Sequence, residues 1–260
     1  MSEGDAVSDP VLVERREGIL IVTLNRPEAR NAVNRDVAVR ICAALDQLDA
    51  DPTLSVGIVT GAGGSFCSGM DLKAFVNGER PEIDGFGFAG LTERRSAKPL
   101  IAAVEGYALA GGCEMVLACD LVVAAENAMF GIPEVTRGLV AGSGGLVRLP
   151  RKIPVNIAME YALTGAHFPA DRAHGWGLVN RLTAPGGALA GAVELARTIL
   201  ANGPLGVRMS KRLIVESVSW EMGDAWERQR PMVEAVLASE DSHEGARAFA
   251  EKRVPNWQGR

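Results

Sequence analysis

The stretch ILIVTL, residues 19–24, decides the fold. It is a continuous apolar run rich in β-branched residues, with Gly18 before it and Asn25-Arg26-Pro27 after it. Such a run predicts a strand buried on both faces. Downstream, Val33, Val37, Ile41, Leu45 and Leu48 recur at intervals of four, four, four and three, which traces one face of a helix. Asp51-Pro52 ends it. VGIVT, residues 56–60, is a second buried strand, and the turn Gly61-Ala62-Gly63-Gly64 follows. Strand, helix, strand predicts a crossover connection and a parallel pair, hence an α/β protein.

Outward from this unit, Leu100–Val104 and Leu121–Ala125 read as a third and a fourth strand, with a short helix at 112–118 between them. Residues 73–95 hold Gly78, Pro81, Gly85, Gly87 and Gly90 and predict a flexible loop, with room for short helical turns. From Pro154 the pattern turns helical, at 155–163, 169–175, 188–202, 205–217 and 219–239. The expected organisation is a loose tail at 1–10, an α/β body at 11–190 and a helical C-terminal region at 191–260. That last region is rich in Trp and Met (Met209, Trp220, Met222, Trp226, Met232).

With 260 residues, 47% of them apolar and 23% charged, the chain has the composition of a soluble domain with a sizeable core. Its net charge of −5 argues against a nucleic-acid partner. No apolar run is long enough to span a bilayer, and MSEGDAVSDP lacks the apolar core of a secretion signal. A cytoplasmic protein without a membrane partner is expected. Cys42, Cys67, Cys113 and Cys119 form no CxxC pair, and His167, His174 and His243 are scattered, so free thiols and no metal site are expected.

Three segments follow predicted strands, where ligands collect in α/β folds: SFCSGMDL at 65–72, EGYALAGGCE at 105–114 and FGIPE at 130–134. Gly111-Gly112 opens a helix. Glycine allows close backbone approach, and the first amides of a helix point outward without an internal partner. The Gly111 amide can therefore donate to an oxygen that becomes negative during a reaction, with the Ser68 amide as a second donor. Each such donor is commonly worth about 3–4 kcal/mol. Glu114 and Glu134 stand beside these donors. Either acid alone could be a dipole partner or a solvated side chain.

FCSGMDLK, GYALAGGCE, FGIPE, NRPEARNA at 25–32 and GSGG at 142–145 resemble the signature of the enoyl-CoA hydratase (crotonase) family, and the likeness runs from about residue 11 to the end. The resemblance implies a spiral of ββα turns with a helical C-terminal trimerisation region, assembled as a homotrimer or a dimer of trimers. It implies Ser68 and Gly111 as oxyanion-hole amides, and Glu114 and Glu134 as the catalytic acids. It implies a wall for coenzyme A from Arg26, Ala29 and Arg30 with Ser68, Gly69, Asp71, Leu72 and Gly111. Phe249 and Lys252 would reach the coenzyme A of a neighbouring subunit. Coenzyme A would enter as part of an acyl-CoA substrate, with no permanently bound cofactor.

The chemistry agrees. Two amides polarise the thioester carbonyl, water attacks the β-carbon, and a proton reaches the α-carbon. Glu114 is assigned as the base toward water and Glu134 as the acid. Two carboxyls sharing one site titrate together, and burial raises one of them. GFAGLTE at 87–93 and AEKRVPNWQGR at 250–260 also resemble the carnitinyl-CoA dehydratase branch. An enoyl-CoA isomerase and a non-catalytic acyl-CoA-binding protein are the remaining alternatives.

Overall fold

The structure is a computed structural model and describes residues 9–260. Its main sheet has six strands in the order Val11–Arg16, Ile19–Leu24, Val56–Gly61, Leu100–Val104, Leu121–Ala125, Arg181–Thr183. The first pair is antiparallel and the others are parallel. Ile19 lies opposite Val56, and Ile58 opposite Ile101. The expected parallel pair is therefore present.

The runs are continuously apolar because both faces of the sheet are covered. On one face Ile19, Ile21, Val56, Ile58, Ile101, Ala103 and Val123 pack against Ala188, Ala192, Val193 and Ala196 of the helix Ala188–Leu200. On the other, Leu20, Val22, Val59, Ala102 and Val104 join the larger core with Ile41, Leu45, Phe66 and Phe130. Each large side chain fully buried there contributes about 1.5–3 kcal/mol. The division expected at about residue 190 falls inside the helix Ala188–Leu200, which belongs to the body by its packing.

The helix after the second strand spans Arg35–Ala50. Asn34 caps it, its Oδ1 accepting from the Val37 N–H at 3.1 Å. Val33, read as part of this helix, precedes it and forms a single bridge to Met70. Residues 73–95 are more structured than a flexible loop. They hold the helix Leu72–Val76 and a hairpin of Glu82–Ile83 with Gly87–Phe88. Arg94, its side chain only 4% exposed, ties the segment to Asp46 at 2.8 Å and Asp49 at 3.4 Å, with Phe86 stacked beneath at 4.0 Å.

A second, small sheet lies beside the first: Tyr107–Leu109 pairs in parallel with Met129–Gly131, which pairs antiparallel with Phe168–Pro169. Strand, short strand, helix is thus the repeating turn, seen in Leu100–Val104, Tyr107–Leu109 and Gly111–Ala118. This is the expected ββα spiral. Beyond it run Pro204–Ser217, Met222–Leu237 and Glu240–Glu251. The first two contain no buried residue. The chain end returns onto the body: Asp241 accepts from the Gln258 and Gly259 amides, and Trp257 donates to the Ala201 carbonyl. Of the expected tail, residues 1–8 lie outside the described residues, while Asp9 pairs with Arg40 at 2.9 Å. All four cysteines are free thiols and buried.

Candidate active site

The two acids are delivered by the small sheet. Tyr107–Leu109 leads into the helix Gly111–Ala118, which carries Glu114 in its first turn. Met129–Gly131 leads into the 3-10 turn Pro133–Arg137, which carries Glu134. The Ala110 N–H donates to the Gly131 carbonyl at 2.9 Å and locks the two exits together. Ala110 itself has φ +51° and ψ −128°. A residue with a Cβ in such a region costs about 1–3 kcal/mol, held only because its surroundings over-determine it.

Glu114 is 3% exposed, and its Oε1 accepts from the Gly145 N–H at 2.8 Å. Burial raises its pKa, while hydrogen bonds from Gly145 and Ser143 and the charge of Arg148 pull the other way. Glu134 has no such cradle. Its Oε2 is buried and has no hydrogen-bond partner among the described residues. Burial pushes its carboxyl up to about 7, its own backbone N–H opposes this, and the charge on Glu114 adds to the rise. A buried polar atom left without a partner costs about 1–3 kcal/mol, so this oxygen is open to a water or ligand.

The segments at 26–33 and 65–72 run side by side. The Ser68 N–H donates to the Arg30 carbonyl at 3.0 Å, Val33 N–H to Gly69 at 2.8 Å, and Asp71 N–H to Val33 at 2.9 Å. This corrects one expectation: the Ser68 amide is engaged by Arg30 and has no proton to offer a ligand. The Met70 amide, two residues on, has no acceptor among the described residues. Neither has the Gly111 amide, at the helix start. Gly69 packs between them. It has φ +99°, and a Cβ there would stand 3.1 Å from the Gly111 nitrogen and 2.8 Å from the Ala110 Cβ, so only glycine fits.

The expected coenzyme A wall divides in two. Arg26 and Asp71 pair at 3.0 Å, and Arg26 also donates to the Ala32 carbonyl at 2.7 Å. Asp71 further caps the helix Leu72–Val76 through the Lys73 and Ala74 amides. Burial works against its charge, yet the bonds from Ala74 and Arg26 hold the carboxyl below its ordinary range. These two side chains fasten the wall rather than face a ligand. Ala29 is half-buried, while Arg30 and Leu72 are exposed beside them. Phe249, 88% exposed, lies near the end of the helix Glu240–Glu251, and Lys252 directly follows that helix. A cavity of about 300 Å³ lies elsewhere, lined by Lys98, Arg208 and Trp257 among others.

Sequence reasoning missed the Met70 amide, the Ser143 and Gly145 donors to Glu114, and Arg148. For Met70 the sequence holds no signal, because the open amide follows from the bridge to Val33, which engages alternate amides. For the others the signal was the GSGG turn itself.

Residues 14–260 match the enoyl-CoA hydratase/isomerase family. The chain belongs to that family. Among solved structures it is similar to an enoyl-CoA hydratase of Mycobacterium marinum, with 58% identity, 96% of this chain and 99% of that one covered, and a TM-score of 0.95. Among curated relatives, the mevalonyl-coenzyme A hydratase of Aspergillus fumigatus is 45% identical over 92% of this chain and 91% of its own. The carnitinyl-CoA dehydratase of Salmonella arizonae is 42% identical over 97% of this chain and all of its own. Among the described residues, no helix of this family member is long and apolar enough to cross a membrane.

Proposed function

We propose that the protein is a hydratase of 2-enoyl-CoA thioesters, adding water reversibly and with syn geometry. The observation that carries this reading is the buried, unpartnered Oε2 of Glu134 beside a cradled Glu114. In the proposed reaction the Met70 and Gly111 amides receive the thioester oxygen. Glu114, ionised, takes a proton from water as its oxygen bonds to the β-carbon. Glu134, protonated, gives its proton to the α-carbon as the enolate collapses, and the product is a 3-hydroxyacyl-CoA. The pair holds one proton before and after, and it titrates as a unit. Activity is therefore highest near neutrality, where one proton resides on the two acids, and falls on both sides.

Arg26 and Asp71 shape the coenzyme A wall, with Ala29, Arg30 and Leu72 toward the cofactor moiety; no group beyond the substrate is required. Phe249 and Lys252 are proposed to act across a subunit boundary. Their exposure supports this, as do the unpartnered Ile214, Val218, Met222 and Trp226 on the outer helices, which fit a homotrimer or a dimer of trimers. The names of two relatives, a mevalonyl and a carnitinyl enzyme, favour a second substrate reading, in which the acyl group carries a polar head.

The test is loss of enoyl absorbance with crotonyl-CoA, beside a product-mass screen that includes crotonobetainyl and branched enoyl thioesters. Glu114→Gln should lower kcat by about 10²–10⁴ while retaining thioester binding. Full activity in that variant, or no turnover of any enoyl thioester by the wild type, sinks the proposal.

A further inference from the structure

Arg148 lies in the first turn of the helix Gly145–Lys152, directly after the turn that cradles Glu114. Its guanidinium reaches in two directions. Nη1 donates to the Ser143 carbonyl at 3.3 Å, and Nη2 donates to the Thr92 carbonyl of the segment after the hairpin. The side chain also fills the space over Gly144, which has φ +105° and where a Cβ would collide with Nη1. Thus one cation joins the 87–93 segment to the 142–145 turn, whose Gly145 amide holds the Glu114 carboxylate.

We propose that Arg148 is a positioning residue for Glu114: it fixes the turn that cradles this carboxylate and supplies the positive charge that faces it. The inference goes beyond the hydratase reading and borrows from it only the use made of Glu114. Other groups face the guanidinium from each neighbouring element. Glu114 comes from the helix Gly111–Ala118, Glu93 from the segment after the hairpin, the Cys119 thiol from the end of the Glu114 helix, and Lys152 from farther along its own helix. Glu134, from the 3-10 turn Pro133–Arg137, feels the charge of Glu114 and, in the opposite sense, that of Arg137. Burial weakens the hold of Arg148 on its proton, while Glu114 and Glu93 strengthen it. With Lys152 also buried and depressed, Arg148 is the cation that acts directly on Glu114. This separates the two acids: Glu114 has a cradle and the partly buried Arg148, whereas Glu134 has no cradle and only the exposed Arg137 of its own turn.

The test is a carboxyl ¹³C titration of protein labelled at glutamate Cδ, with Glu114→Gln identifying the resonance. Arg148→Gln should raise the Glu114 midpoint by about one pH unit. Arg148→Lys, which keeps the charge, should restore most of it. Glu93→Gln, at an exposed position, should move the midpoint down by a smaller amount. The acid limb of kcat should follow in each variant with KM little changed, a pattern that a merely structural role does not produce. An unmoved midpoint in Arg148→Gln, or a Lys variant displaced as far as the Gln variant, overturns the proposal. If Arg148→Gln does not fold, Glu93→Gln decides it, and a midpoint that stays put is the negative result. Failure of the hydratase reading shows separately, as a wild type that turns over no enoyl thioester while its Glu114 resonance still responds to Arg148.

Discussion

Glu134→Gln should make the protein less active and, above neutrality, more stable. The carboxyl is carried from an ordinary 4.5 to about 7, chiefly by burial. A rise of that size corresponds to about 3 kcal/mol of disfavour for the charged form in the folded state. The residue is only partly buried, so solvent screening reduces this to about 1–2 kcal/mol. The sign follows from proton binding. Between pH 4.5 and 7 the folded chain holds this proton more tightly than the unfolded chain, so wild-type stability falls as pH rises through that window. Glutamine carries no charge and is spared the loss. Urea unfolding at fixed protein concentration should therefore give similar midpoints near pH 4.5 and a more stable variant near pH 8, with kcat down by about 10²–10⁴. A stability difference that is the same at both pH values would refute the argument, because it would tie the effect to packing rather than to charge.

Two further outcomes are expected. Replacing the Met70 N–H by an ester oxygen should lower kcat by about 10²–10³. The same change at Ser68 should cost about 1 kcal/mol of stability through the lost bond to Arg30, without a comparable fall in kcat; the reverse pattern restores Ser68 as the donor. Trp226→Glu, at a side chain 64% exposed on the outer helix, should reduce the assembled mass in light scattering while leaving the far-ultraviolet dichroism intact; an unchanged mass excludes that face from the assembly.

Much of the body was legible because two-sided burial leaves an uninterrupted apolar signal. Ile19–Leu24, Val56–Gly61, Leu100–Val104 and Leu121–Ala125 are all of this kind. The edge strand Val11–Arg16 was missed because it buries Val11 alone and ends in the charged run Glu14-Arg15-Arg16. Tyr107–Leu109 and Met129–Gly131 span three residues each, too few for a period to appear. Gly145–Lys152 contains Pro150, which masks a helix in sequence, and Glu240–Glu251 is largely polar. At the site, side chains could be nominated from residue type, and the charge of Glu114 acts on Glu134. Main-chain donors could not, because which amide is left open depends on a pairing partner more than thirty positions away.

The pairing of Val33 with residues 69–71 has a bearing on how this site tolerates change. It turns alternate N–H groups toward and away from the neighbouring chain, whatever side chains they carry. Substitutions at 68 and 70 can therefore accumulate with little penalty to the chemistry. A single inserted or deleted residue between Cys67 and Asp71 would exchange the outward amide for an occupied one and silence the enzyme without altering either acid.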